Sequence, residues 1–201
     1  MMTITYPVHN GIYVNVTNRC PCACTFCLRQ NGESVYGSDS LWLEREPTVK
    51  EVCDSIDTWD LNKYNEVVFC GYGEPTERLD DLLEVAKYIK SKSDIKIRIN
   101  TNGLADLIWG EPTAPKLQGL IDAVSISLNA TNKEEYLKIV RPKFGIESYE
   151  AMLKFTKECT KYVSLVVMTV VDIVTSKEEQ EICRKICESV GATLRIRPYE
   201  G

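Results

Sequence analysis

The stretch "GIYVNVTNRCPCACTFC", residues 11–27, runs a short β-branched segment straight into four cysteines, Cys20, Cys22, Cys24 and Cys27. A strand ending in a dense set of soft ligands points to an α/β protein whose chemistry gathers at strand ends. The loop either encloses a metal with four thiolates or holds one with three and leaves a position open.

Further strands are read at 66–70 ("EVVFC"), 95–100 ("IKIRIN"), 123–128 ("AVSISL"), 163–171 ("VSLVVMTVV") and 193–198 ("TLRIRP"). Several are almost continuously apolar, as strands covered on both faces tend to be. Helices with recognisable starts lie between them. Thr48 with Glu51, Thr131 with Glu134, and Ser176 with Glu179 have capping-box spacing. Ser148 begins a fourth helix, residues 79–90 form a fifth with acids early and lysines late, and Gly191 closes the last. Pro112 and Pro115 break residues 104–119 into two short helical pieces around a loop. Six strands alternating with helices predict one parallel α/β domain over residues 1–201, either an open partial barrel or a doubly wound sheet.

Composition excludes several classes. With 44% hydrophobic and 26% charged residues the chain is an ordinary globular one. Its net charge of −5 gives no support for nucleic acid as a partner. The longest apolar run, Val163 to Val171, is about half of what a membrane-spanning helix needs, and the N-terminus has no secretory pattern. Nine cysteines in such a chain suit a reducing, cytoplasmic setting. The single histidine, His9, is read as the start of a strand, and its isolation disfavours zinc hydrolase and histidine-dependent nucleophilic sites.

Unusual residues follow each strand. After 66–70 comes "CGYGEPT" (70–76), after 95–100 comes "NTNG" (100–103), and 123–128 runs into "SLNAT" (127–131). Together with Cys20-x3-Cys24-x2-Cys27 and Phe26 just before the last cysteine, this pattern resembles the radical S-adenosylmethionine (SAM) enzymes. The wording "NVTNRCPCACTFC", "GYGEPT" and "TNG" within about two hundred residues is most similar to the small TatD-associated radical SAM proteins.

The resemblance implies a partial (β/α)6 barrel with no auxiliary-cluster domain and a [4Fe–4S] cluster on Cys20, Cys24 and Cys27. The iron left open would take the amino and carboxylate groups of SAM, which is cleaved reductively to a 5′-deoxyadenosyl radical. It further implies SAM contacts from Gly71, Tyr72, Gly73 and Glu74 through main-chain groups and from Leu28 at the adenine. Asn100, Asn102, Ser127, Asn129 and Arg141 are the side chains expected to help. An electron donor such as flavodoxin or ferredoxin would reduce the cluster. No residue is singled out as catalytic, and no feature names the substrate, small molecule or protein.

Cys22 departs from the pattern. It is expected to be a non-ligand, because Cys20 and Cys24 close the loop it would have to fold into. Tyr72 separates two glycines that are more often adjacent in the family, which bears on the dihedrals that loop requires. Glu74 reads equally as a solvated turn carboxylate. Cys53, Cys159, Cys183 and Cys187 read as core thiols, whereas Cys70 at a strand end can face the site. Two readings within the class are an activator of glycyl-radical enzymes and a relative of carboxydeazaguanine synthase. The reading from another class is a non-enzymatic four-cysteine protein, a zinc module or an electron carrier.

Overall fold

A computed structural model describes residues 2–30, 32 and 37–199. One seven-stranded sheet runs through them: β1 (Thr5–Val8), β2 (Gly11–Val14), β3 (Glu66–Phe69), β4 (Lys96–Thr101), β5 (Ala123–Ser127), β6 (Leu165–Val171) and β7 (Thr193–Arg197). Spatial order equals sequence order. β1 and β2 form an antiparallel hairpin, and every later pairing, from β2 with β3 to β6 with β7, is parallel. The six expected strands are all present. β1 is an addition, and it corrects the reading of His9, which occupies the hairpin turn at φ 50° rather than a strand start.

The helices are α1 (Val49–Ile56), α2 (Leu79–Lys92), α3 (Ala105–Trp109), α4 (Lys133–Val140), α5 (Ser148–Cys159) and α6 (Lys177–Ser189). Both halves of the capping box are made at Thr48–Glu51 and at Ser176–Glu179. The cap of α4 shifts by one residue: Asn132, not Thr131, accepts from the Glu135 backbone. Ser148 is a buried helical residue behind a 3-10 turn (Gly145–Glu147), so it does not cap α5. Gly191, at φ 78°, ends α6 in the left-handed conformation that glycine tolerates best.

Period-two alternation sorts the strands into two faces. Ile97 and Ile99 of β4, Val124 and Ile126 of β5, and Met168 and Val170 of β6 are buried in the main core, with Leu82 and Ile89 of α2 and Met152 and Phe155 of α5. Cys53, Cys159, Cys183 and Cys187 belong to the same core, as read. The opposite face is not apolar throughout. Arg98 and Asn100, Ser125 and Ser127, and Arg195 and Arg197 alternate with those core positions and line a cavity. That cavity also takes Tyr6 and Val8 from β1, so both edge strands wall one space. The sheet therefore curves round without closing, which makes it an open, partial barrel. The end of the predicted strand-end segment "RPYEG", Glu200 and Gly201, lies outside the described residues. Among the described residues, no helix is long and apolar enough to cross a membrane.

Candidate functional site

The cavity, about 320 Å³, opens where the parallel strands end. The cysteine loop forms one side of it, and the loop is fixed by main-chain bonds to the far end of α4. Ala23 N–H donates to Val140 O (3.1 Å), Thr25 N–H to Ile139 O (2.9 Å) and Lys143 N–H to Pro21 O (2.8 Å). Within the loop, Cys27 N–H and the Gln30 amide both donate to Cys24 O. Its N-terminal stem is held by polar side chains that sequence reasoning passed over. Asn15 donates to Leu41 O (2.7 Å), Asn18 exchanges two bonds with the Leu43 main chain, and Thr17 donates to Glu46 (2.6 Å). The signal was present in "NVTNRC", where three amide or hydroxyl side chains follow a strand.

The four sulfurs do not share one role. Cys24 and Cys27 line the cavity, along with Phe26 and Leu28. The Cys20 and Cys22 thiols act on each other, which lowers the pKa of Cys20 and pushes that of Cys22 up. Cys22 Sγ also lies 3.6 Å from Asn102 Nδ2. Cys22, like Cys20, is not among the residues that line the cavity. Burial raises Cys24 to about 12 and raises Cys27 as well, so neither thiol ionises readily in the absence of a bound cation. The Tyr136 hydroxyl, buried without a hydrogen-bond partner, lies within electrostatic reach of Cys22, Cys24 and Cys20.

The loop after β3 packs directly on the cysteine stem. A Cβ on Gly71 would lie 2.1 Å from Asn15 Oδ1, and one on Gly73 would lie 2.1 Å from Thr17 O and 2.7 Å from Arg19 O. Neither glycine has positive φ. Their requirement is therefore close approach, and the interruption by Tyr72 costs nothing in dihedral terms. Tyr72 is buried, edge-on to Trp42 at 5.1 Å, with its hydroxyl donating to Gly32 O (2.9 Å).

Glu74 is 4% exposed, which corrects its reading as a solvated turn carboxylate. Its Oε1 accepts from Thr76 N, Thr76 Oγ1 and Thr101 Oγ1, and its Oε2 from Asn102 N at 2.7 Å. One side chain thus ties the β3 loop to the β4 loop. Burial pushes its pKa up while those donors pull it back.

The remaining expected residues divide. Asn100, Asn102 and Ser127 line the cavity, and so does Cys70, whose thiol is pushed up by burial while a hydrogen bond to Asn100 opposes the shift. Asn129 does not: β5 ends at Ser127, and Asn129 takes φ 55°, which breaks the alternation that would have carried its side chain inward. It is 1% exposed, with Oδ1 buried and unpartnered. Arg141 is also absent from the lining. It caps α4 at φ 50°, is exposed, and donates back to Lys138 O. Arg29, Arg98, Arg195 and Arg197 line the cavity and were not anticipated. The alternation in "IKIRIN" and "TLRIRP" carried that information.

The model of the Radical SAM superfamily matches residues 14–186. The GTP 3′,8-cyclase of Lactiplantibacillus plantarum is 27% identical over 135 residues, 67% of this chain and 38% of that protein. A probable dual-specificity RNA methyltransferase (RlmN) of Chlorobium chlorochromatii is 25% identical over 203 residues, 90% of this chain and 50% of that protein. The chain thus spans half or less of the length of these two curated relatives. Among solved structures, that of Streptococcus suis SuiB bound to S-adenosylmethionine is similar in fold, with a TM-score of 0.69 at 16% identity, over 94% of this chain and 40% of that one.

Proposed function

The chain belongs to the radical SAM superfamily, whose enzymes use a [4Fe–4S] cluster and SAM, and from that premise we propose which of its residues serve them. Cys20, Cys24 and Cys27 are the cluster ligands. The observation that carries this reading is the shared cavity, where Cys24 and Cys27 meet Gly71, Gly73, Glu74 and Ser127 at the strand ends. Soft thiol donors on one irregular loop suit iron, and the unpartnered Tyr136 hydroxyl beside them suits a polar group that completes the site.

When bound, the two groups supply a 5′-deoxyadenosyl radical after one-electron reduction. The protein's part is position. Carbonyls of residues 71–74 would accept from the amino group of SAM, in a loop that Glu74 clamps to Thr101 and Asn102. Ser127 and Asn100 present polar atoms to the rest of the cofactor, and Leu28 and Phe26 exclude water at the adenine. Asn129 and Arg141 are left out of this assignment. Residues 1–201 are read as one core domain acting in a reducing, cytoplasmic setting, with an external one-electron donor. The finer placement among the TatD-associated proteins rests on "NVTNRCPCACTFC", "GYGEPT" and "TNG".

A second reading has its own observation. Cys22 Sγ lies 3.6 Å from the cavity-lining Asn102, which favours a four-thiolate centre in which Cys22 would occupy the open position. Electron paramagnetic resonance of the anaerobically reconstituted, reduced protein separates the two. We expect a [4Fe–4S]⁺ signal that shifts on adding SAM, in wild type and in Cys22→Ala alike. A signal indifferent to SAM, or iron lost on replacing Cys22, favours the four-thiolate centre and removes the enzyme reading.

A further inference from the structure

The cavity carries positive charge that the protein itself does not answer. Its lining includes the guanidinium groups of Arg29, Arg98, Arg195 and Arg197 against the single carboxylate of Glu74, in a chain whose net charge is −5. Most of these groups are already engaged. Glu74 has its four donors. Arg98 makes a bidentate pair with Glu66 at 2.6 and 2.9 Å, and Arg29 lies over the Trp42 ring at 4.8 Å. Arg195 and Arg197 have no ion pair and no side-chain hydrogen bond among the described residues.

The two stand at i and i+2 on β7, hence on one face, beside Thr169 and Val171 of β6. Arg197 Nε is buried with no partner. Among the described residues, the titratable groups that act on Arg197 are Cys70, Arg195, Tyr13 and Arg98, two of them cationic and none a carboxylate. Arg197 is half-buried, and taking part of a guanidinium out of water without an anion is costly; no carboxylate offsets that cost among the described residues. An anionic ligand would, and the planar fork of arginine matches a carboxylate or a phosphate with two parallel bonds.

We propose that Arg197, assisted by Arg195, binds a carboxylate or phosphate group of the substrate on the β7 wall, across the cavity from the cysteine loop. Only the word substrate rests on the function proposed above; the anion site rests on the geometry.

The test is isothermal titration with inorganic pyrophosphate and, separately, malonate, on wild type and on R197Q, R195Q and R184Q. The last is a control on α6, where Arg184 is exposed and pairs with Glu181. We expect one of the two anions to bind the wild type, which tells phosphate from carboxylate. R197Q should weaken that binding about tenfold or more, R195Q less, and R184Q not at all. Circular dichroism checks that each variant is folded. Should R197Q fail to fold, R195Q decides, because Arg195 is exposed and its replacement leaves the core untouched.

Absence of anion binding, or binding that neither β7 substitution weakens, overturns the proposal. So does a folded R197Q in which the SAM-induced resonance shift disappears, since the arginine would then serve the cofactor. Titration and resonance on the same reconstituted protein separate the two failures. Anion binding without any SAM response sinks the radical reading and keeps the anion site, whereas a SAM response without anion binding does the reverse.

Discussion

The two walls of the cavity are built on opposite principles. On the wall formed by β2, β3 and β4, most polar side chains have a partner within the protein, Asn18 with Leu43, Glu74 with Thr76, Thr101 and Asn102, Arg98 with Glu66, and Asn15 Oδ1 is the buried exception. On the wall formed by β7, the exposed Arg195 and the half-buried Arg197 have none among the described residues, and Arg197 Nε is buried all the same. A satisfied network holds other groups in position. An unsatisfied one has binding capacity left over, at a cost in stability while it stays empty.

That contrast is easiest to break at Gly73. Replacing it with alanine pushes a methyl into the carbonyls of Thr17 and Arg19, neither of which is the end of a flexible side chain. The expected loss is about 3 kcal/mol, with iron incorporation lost as well, read by urea unfolding and iron content. A Gly73→Ala protein of wild-type stability would mean that the two loops are not locked together.

Glu74→Gln comes next. The amide keeps the shape but turns an N–H towards a donor, leaving the buried Asn102 N–H or a threonine hydroxyl without an acceptor. Unfolding should show a loss of about 2 kcal/mol.

The smallest effect has the opposite sign. Arg197→Gln removes a half-buried cation that has no partner among the described residues, and the protein should become more stable by about 0.5–1 kcal/mol in the absence of ligand. Burial and the neighbouring arginines already lower its pKa, in line with that direction. Destabilisation by Arg197→Gln would place β7 in the same class as the other wall and erase the distinction.

Much of this was legible in the residues, and the limits have physical causes. The six parallel strands were visible because each carries a β-branched run bounded by turn residues. β1 was missed because "TYPV" is four residues long and holds a proline, tolerable only because it lies at the sheet edge. The cavity-facing pairs on β4 and β7 were hidden by their outer neighbours: "IKIRIN" reads as apolar until each second residue is assigned to its own face. Asn129 was misassigned for the converse reason, since alternation was extended two residues beyond the last strand position. The cysteine spacing gave the loop its identity. Which sulfur turns which way depended on Asn102, eighty positions away.

Strand order has a consequence in time. Because the sheet runs β1 to β7 in sequence order, each strand leaving the ribosome finds its neighbour already made, and no pairing waits for a distant segment. The cysteine loop is synthesised early, but its anchors at Val140 and Ile139 follow more than a hundred residues later. Through that interval the thiols have their stem and, once residue 102 is made, the Asn102 contact to Cys22. β7 joins last, so Arg195 and Arg197 close the cavity after the half that carries the cysteine loop has had its chance to form.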